Sequence, residues 1–185
     1  SLLFNFDSGP IHRSLPLDWI VGGVTGHFSA TGGGFSTQRV DTMGFTPAGF
    51  SGLCLYPNSV FPADLYVDLS HAASDFSILY SPQELGCDDS ARMRATAYMS
   101  GVPVGTNTTT AHDPGTWPSA TLRLHVPGGF DRIVVHYDAR PPTCQNWGPI
   151  FLADNVAITL LPSCPADVDG DGFVTGDDFT AFVIA

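Results

Sequence analysis

The sequence predicts an all-β protein, an antiparallel two-sheet β-sandwich of jelly-roll type, from three observations. Short runs rich in β-branched and aromatic residues recur, and turn residues interrupt them every 8–12 residues or so, about the spacing of sandwich strands. Glycine (20) and proline (15) are plentiful, whereas charged residues are only 14% of the chain. No segment before residue 165 has the periodicity of an amphipathic helix. An open β-barrel is the weaker alternative.

Nine to eleven strands are expected, and the pattern of each run decides its place. The Gly32–Gly34 triplet separates two runs and predicts a β-hairpin between them. Residues 120–127 alternate, with Leu122, Leu124 and Val126 on one face, which is typical of a strand with one side buried. The predicted strands are residues 2–6, 26–32, 35–40, 51–56, 64–70, 74–81, 92–100, 101–106, 120–127, 130–139 and 149–162.

The charge of the chain excludes several classes of partner. The formal net charge is −11, and all seven basic residues are arginines. Nucleic acid needs a basic stripe that displaces counterions, so no nucleic-acid partner is expected. An anionic membrane is disfavoured for the same reason, and no run approaches the roughly 18–20 apolar residues that span a bilayer. An acidic chain of this kind suits a divalent cation.

The four cysteines, with a calcium loop in the same chain, predict two disulfides and an extracellular location. Cys54, Cys87, Cys144 and Cys164 contain no C-x-x-C spacing, which disfavours a zinc or redox motif. Of the three possible pairings, proximity in sequence favours Cys54–Cys87 with Cys144–Cys164. The chain starts SLLFNF, which leads us to expect a mature secreted protein whose signal peptide has been removed. Asn107 begins a glycosylation sequon, Asn-Thr-Thr.

The segment DVDGDGFVTGDD, residues 167–178, matches an EF-hand calcium loop position by position. Carboxylate, hydroxyl and backbone carbonyl oxygens occupy the ligand positions 1, 3, 5, 7, 9 and 12, and Gly172 lies at position 6, where the loop turns sharply. Aspartate replaces the usual glutamate at position 12. These hard donors suit Ca²⁺ and serve Mg²⁺ poorly. The residues in the six positions are Asp167, Asp169, Asp171, Phe173, Thr175 and Asp178.

The tail CPADVDGDGFVTGDDFTAFVIA resembles a single type I dockerin repeat of bacterial secreted proteins. Its Cys-Pro-Ala-Asp start and the aspartate that closes the loop carry the resemblance. The resemblance implies bound Ca²⁺, the six loop residues as its ligands, and a secreted or cell-surface bacterial protein. A full dockerin has two such repeats and recognises a cohesin, whereas this tail has one. The predicted organisation is a sandwich over 1–162, a linker over 163–166, and the calcium element over 167–185.

The last residues of the tail predict a short helix with one apolar face. Phe179, Phe182 and Val183 follow i, i+3, i+4 spacing. A helix of about two turns is unstable alone in water, so this face must dock. Its own sandwich, another copy of the chain and a separate partner are the three candidates.

Asp7, in FNFDSG, and Asp154, in FLADNV, suggest a second metal site. Their placement near the first and last strands resembles jelly-roll carbohydrate-binding modules. That resemblance implies a structural calcium shared by the two carboxylates. The alternative is that both are solvated turn residues.

Aromatic residues in loops rich in proline and glycine predict a glycan-binding cluster. Exposed rings stack on the C–H faces of sugars, whereas rings that cap a sandwich core are the alternative. The candidate residues are Trp19, Trp117, Trp147 and Tyr56.

The chain is not expected to be an enzyme. Neither H-E-x-x-H nor G-x-S-x-G occurs, and Glu84 is the single glutamate. A hydrolase of glycosides would need two carboxylates in one cleft. His125 and His136 are expected on adjacent strands, as a surface pair.

These observations together predict a non-catalytic extracellular module with a structural or adhesive role. It would assemble with other copies or with another extracellular protein, as a filament or surface layer, through the calcium-bound C-terminal element or the N-terminal strand. The alternative is a carbohydrate-binding module of a secreted glycan-processing system.

Overall fold

Ten β-strands, all paired antiparallel, build the part of the chain that the computed structural model describes, residues 1–42, 44, 46–82, 92–111, 118–139, 150–162 and 174–176. The predicted antiparallel β-sandwich is confirmed. None of the described segments forms a helix of the length and apolarity that a membrane span requires. The strands are β1 (Leu2–Phe4), β2 (Leu17–Val21), β3 (Val24–Ala30), β4 (Phe35–Arg39), β5 (Leu53–Pro57), β6 (Leu65–Pro82), β7 (Arg92–Met99), β8 (Val102–Thr110), β9 (Ala120–Ala139) and β10 (Phe151–Leu160).

Strands β6 and β9 run through both layers of the sandwich and pair with each other in both. In the first layer, residues 65–69 of β6 pair with β3, and the second half of β9 pairs with β7. The strand order there is β2-β3-β6-β9-β7-β8. In the second layer, residues 73–82 of β6 lie between β10 and the first half of β9, and β1, β5 and β4 extend this layer beyond β10.

Both long strands change the parity of their buried positions where they cross between the layers. In β6 the odd positions are buried up to Leu69 and the even ones from Phe76, and in β9 the change falls between Val126 and Ile133. The pairing of β6 with β9 shifts register in the same region. Gly129 has φ 83° here, a left-handed conformation that glycine adopts without strain. The irregularity therefore keeps apolar side chains of both halves in one core.

The predicted hairpin at Gly32–Gly34 is wrong, because β3 and β4 pair with different strands. Thr31, at the end of β3, is hydrogen-bonded to Asp64 beside β6, through its backbone N–H (3.1 Å) and its hydroxyl (2.9 Å). Phe35 begins β4 opposite Pro57 of β5. The glycine triplet is thus a crossover between the two layers.

Two predicted strand breaks do not occur, and one strand has no predicted counterpart. Residues 64–70 and 74–81 belong to the single strand β6, and residues 120–127 and 130–139 belong to β9. The glycines after Val126 permit a bulge instead of a turn. Strand β2 contains only five residues between Pro16 and Gly22, and so short a run has little alternation to detect.

An aromatic cluster fixes the N-terminal segment to the core. Phe6 and Phe28 pack edge to face, with ring centroids 5.2 Å apart, and Trp19 packs against both at 5.0 and 5.7 Å. Phe4 packs on Phe28 at 5.6 Å. Phe4, Phe6 and Phe28 are fully buried, and Trp19 is only 8% exposed. Edge-to-face pairs of this kind contribute about 0.5–1.5 kcal/mol each beyond burial.

We expect Phe28→Ala to lower the free energy of unfolding by about 3–5 kcal/mol, because it removes the ring that the other three share. Urea denaturation followed by tryptophan fluorescence measures this change. The matched control is Phe61→Ala, whose ring is 71% exposed and whose loss should change the stability by less than about 0.5 kcal/mol. Equal effects of the two variants would contradict the role of the cluster.

Candidate functional site

The fold brings Asp7 and Asp154 together, as the resemblance to carbohydrate-binding modules implies. Strand β1 pairs with β10, with Phe4 opposite Val156, so the chain leaves β1 close to Asp154. The charge of Asp7 acts on the carboxyl group of Asp154 and raises its pKa. We call this pair the Asp7–Asp154 centre.

Asp154 lies at a bulge of β10 and is only 1% exposed. The pairing of β10 with β6 shifts between Asp154 and Ala157, and Asn155 has φ 50°. Asparagine tolerates this conformation better than most residues. The backbone N–H of Asn155 donates to Asp154 Oδ1 at 2.7 Å, and its side chain reaches Gly49 O at 3.5 Å. The bulge thus turns the carboxylate beneath the loop that leads into β5.

The carboxylate of Asp7 is held against the same loop. Its Oδ1 accepts a hydrogen bond from Leu53 N at 2.8 Å, and its Oδ2 accepts one from Asn5 Nδ2 at 3.2 Å. Gly52 has φ 63°, and a Cβ at this position would lie 1.9 Å from Asp7 Oδ1. Only glycine therefore lets the loop backbone approach the carboxylate so closely.

Burial is the main cause that raises the pKa of Asp154 to about 7. Hydrogen bonds from the backbone of Asn155 and Ser51 lower it, and the charge of Asp7 raises it again. A second carboxylate beside a buried one is unfavourable unless a proton or a cation compensates the charge.

The donors at the Asp7–Asp154 centre fit a hard cation. In the described ranges no three or more His, Cys, Asp or Glu side chains are grouped for metal binding. A cation here would be bound by the two carboxylates and by backbone carbonyl oxygens of the neighbouring loop, such as Gly49 O. Such a set suits Ca²⁺, which accepts flexible all-oxygen coordination.

The C-terminal calcium loop and helix stay predictions. Thr175 is described and is exposed. The remaining loop ligands and the apolar helix face lie outside the described residues; these are Asp167, Asp169, Asp171, Phe173, Asp178, Phe179, Phe182 and Val183.

The predicted role of Trp19 in glycan binding is wrong. Its indole is a core side chain, packed edge to face on Phe6 and Phe28. Tyr56 is half-buried against a small apolar cluster beneath the loop that leads into β5. Trp117 and Trp147 lie outside the described residues. The alternative reading, in which a tryptophan caps the core, is correct for Trp19.

Cys54 is a free, fully buried cysteine, which argues against the expected bridge to Cys87. Its side chain packs with Val40, Phe50 and Leu152. Burial is the main cause that raises the pKa of the thiol to about 12, so the reactive thiolate is suppressed. The other three cysteines, Cys87, Cys144 and Cys164, lie outside the described residues.

Asn107 is exposed on β8, as a glycosylation site requires. Its Nδ2 donates a hydrogen bond to Arg123 O at 2.7 Å, so the nitrogen that would carry a glycan already joins β8 to β9. Glycosylation at this position remains a prediction.

The two histidines expected on adjacent strands lie on the same strand, β9, and each pairs with an aspartate instead. His125 Nδ1 lies 2.7 Å from Asp75 Oδ1, and His136 Nδ1 lies 2.7 Å from Asp64 Oδ1. The sequence signal for such partners is the alternation of polar side chains in DLYVDLS (64–70). This alternation places a row of polar groups on the outer face of the first layer.

No family model matches the chain, and no curated protein matches it in sequence. Its structure is similar to the K2 cleaved adhesin domain of Lys-gingipain, with 10% sequence identity, a TM-score of 0.55, and 86% of this chain and 98% of that one covered. The K1 cleaved adhesin domain from Porphyromonas gingivalis W83 matches at 15% identity and a TM-score of 0.48, over 87% and 98% of the two chains. The first similarity establishes the fold and nothing about a ligand.

Without metal, we expect stability to fall as the pH rises from about 5 to about 8. The pKa of Asp154 is raised to about 7 from 3.8, so the folded state holds this proton more tightly. The resulting stabilisation is complete below the unfolded pKa and is lost as the pH rises through the folded one. Asp154→Asn should remove this component and be the more stable protein at pH 8. Calorimetry in EGTA measures both melting curves.

The matched control for this experiment is Asp131→Asn, which removes a carboxylate of β9, a strand that does not pair with β10, and keeps an acceptor for the hydrogen bond from Ser100 N. This variant should keep the pH profile of the wild type between pH 5 and 8. A wild-type profile that coincides with that of Asp154→Asn would contradict the raised pKa.

Proposed function

We propose that this chain is a non-catalytic extracellular binding module of adhesive type. One Ca²⁺ at the Asp7–Asp154 centre stabilises its sandwich, and a second occupies residues 167–178. The buried carboxylate of Asp154 beside the exposed carboxylate of Asp7 is the observation that carries this proposal. Asp154 is almost completely enclosed and close to a second carboxylate, and the structure gives it backbone and amide donors as hydrogen-bond partners.

A cation at this centre would join parts of the chain that are far apart in sequence. Asp7 follows β1, Asp154 belongs to β10, and residues 49–52 precede β5. Ca²⁺ bound between them would neutralise the unfavourable charge and cross-link the edge of the second layer. Asp154 is buried and Asp7 is hydrogen-bonded to the backbone of the loop, which favours a structural role for the metal over a catalytic one.

The similarity in fold to the Lys-gingipain adhesin domain supports the adhesive role. The similarity covers 98% of that domain, and at 10% identity it concerns the fold. An exposed polar face on the first layer provides a surface suited to recognition, as described below.

The N-terminal strand is a less favourable joining element than the C-terminal one. Its residues pair with β10 in the same chain, with Leu2 opposite Ile158, and Phe4 is fully buried. Because the strand is committed to its own sheet, we assign assembly to the C-terminal element, through Phe179, Phe182 and Val183.

We expect wild-type chain to bind two Ca²⁺ ions in isothermal titration calorimetry, one at each site. Asp154→Asn should lose one ion and Asp169→Asn the other, because each removes a carboxylate from a different site. The double variant should bind none. Unchanged stoichiometry in Asp154→Asn would overturn the Asp7–Asp154 centre, and unchanged stoichiometry in Asp169→Asn would overturn the tail loop.

Assembly should depend on Ca²⁺ in the tail and not on the Asp7–Asp154 centre. Size exclusion with light scattering should show larger species in Ca²⁺ than in EDTA for the wild type and for Asp154→Asn. Asp169→Asn and the double variant Phe179→Ser/Phe182→Ser should stay monomeric, because they remove the metal or the apolar face. A wild-type chain that is monomeric in both conditions at high concentration would overturn assembly.

A further inference from the structure

The outer face of the first layer carries a groove of about 420 Å³ that is lined by aromatic and polar side chains. Strands β6, β9 and β7 contribute its floor. We call it the tyrosine groove, and the residues that matter below are Tyr66, Arg94, Tyr98, Arg132, Val134 and His136.

Strand register fixes these side chains on one surface. The neighbours of each groove residue along its strand, such as Val67, Ile133 and Ala97, are buried in the core. Because side chains alternate along a strand, the groove residues face outward. The pairing aligns them in rows across the sheet, namely Asp68–Arg132–Tyr98, Tyr66–Val134–Thr96 and His136–Arg94.

The charged groups of the groove are already paired with one another. Arg132 forms an ion pair with Asp68, and its guanidinium lies 6.0 Å from the centroid of the Tyr66 ring. His136 contacts Asp64 at 2.7 Å. Arg94 Nε lies 3.4 Å from Asp138 Oδ1. A charged ligand would have to compete with these partners, so charge balance favours a neutral one.

Paired charges still leave capacity for hydrogen bonds to a ligand. A guanidinium has five N–H donors and a carboxylate accepts about four hydrogen bonds, more than one ion pair uses. Hydroxyl groups both donate and accept, so a ligand rich in hydroxyls can bond to the arginine and aspartate of each pair. Sugars have this chemistry.

The two tyrosines add the second element of sugar recognition. Both rings are half-buried, so each leaves part of its surface exposed to solvent. Tyr66 and Tyr98 lie two strands apart across the sheet and two residues apart along it. Standard sheet dimensions give a separation of roughly 12 Å, which is longer than one sugar ring. Val134 contributes the aliphatic side chain of the lining. This is too little apolar surface to bind an apolar peptide.

We propose that the tyrosine groove binds a short neutral oligosaccharide, with sugar rings stacked on Tyr66 and Tyr98 and hydroxyls bonded by the Arg132–Asp68 and His136–Asp64 pairs. This inference rests on the proposed function as a binding module and assigns the class of its ligand. It also gives the chain a glycan-binding surface that does not include Trp19.

The test is a glycan array that carries neutral glucose, mannose, xylose and N-acetylglucosamine oligomers beside uronic- and sialic-acid glycans, probed with the full chain in Ca²⁺. Neutral oligomers should bind, with an affinity that changes little between low and high salt. Calorimetry on the best neutral hexamer should show that Tyr66→Ala and Tyr98→Ala each weaken binding at least about tenfold. Tyr66→Phe should retain most of the affinity, because it keeps the ring.

Phe61→Ala is the matched control, since it removes an exposed ring that does not line the groove. Melting temperatures of all variants check that the sandwich is intact. Unchanged binding in both alanine variants, or binding confined to acidic glycans and abolished by salt, would overturn the proposal. The absence of any glycan binding while two Ca²⁺ ions still bind would overturn the groove alone. Glycan binding without metal at Asp154 would overturn the metal centre alone.

Discussion

The continuous pairing of β6 with β9 is the constraint on which the rest of the structure depends. These are the longest strands of the sandwich, and each contributes to both layers. Their halves can share one core only because both change the parity of their buried positions at the same level. The same change sets which residues point outward, so it places Tyr66 and Asp68 on one outer surface and aligns Leu79 with Asp154 on the other layer.

The buried carboxylate of Asp154 is the main unfavourable feature of this otherwise apolar framework. Removing a carboxylate from water costs free energy that neighbouring amide donors recover only in part. The aromatic cluster adds to this electrostatic cost, because it fixes the N-terminal segment that holds Asp7 near Asp154. A bound cation would make the electrostatic interaction at this centre favourable. Without metal the two carboxylates repel each other, whereas both would attract a cation between them. Occupancy of the proposed metal site would therefore be coupled to the stability of the fold.

In the functions proposed above, the second layer has the structural role and the first layer has the recognition role. The second layer holds the Asp7–Asp154 centre, in which Asp154 is buried beneath a loop and Asp7 is exposed. The first layer exposes a broad face on which charged side chains are paired and tyrosines are only half-covered. These paired side chains would lose little conformational entropy when a ligand binds, because strand register already holds them in position. Such a face would suit the proposed recognition of a ligand without a deep cleft.

The sequence by itself determined the fold class, the approximate number of strands and the buried face of regular runs such as Leu122, Leu124 and Val126. These properties follow from local alternation, which a single strand displays without reference to its neighbours. It also indicated the Asp7 and Asp154 pair, through a resemblance. Only the tertiary structure decided that Gly32–Gly34 crosses between layers, that Trp19 is a core residue, and that Cys54 is a buried thiol. It alone placed His136 beside Asp64 and Tyr66 near Arg132. Partners across a sheet are set by register between distant segments, and one bulge changes that register without leaving a periodic mark in the chain.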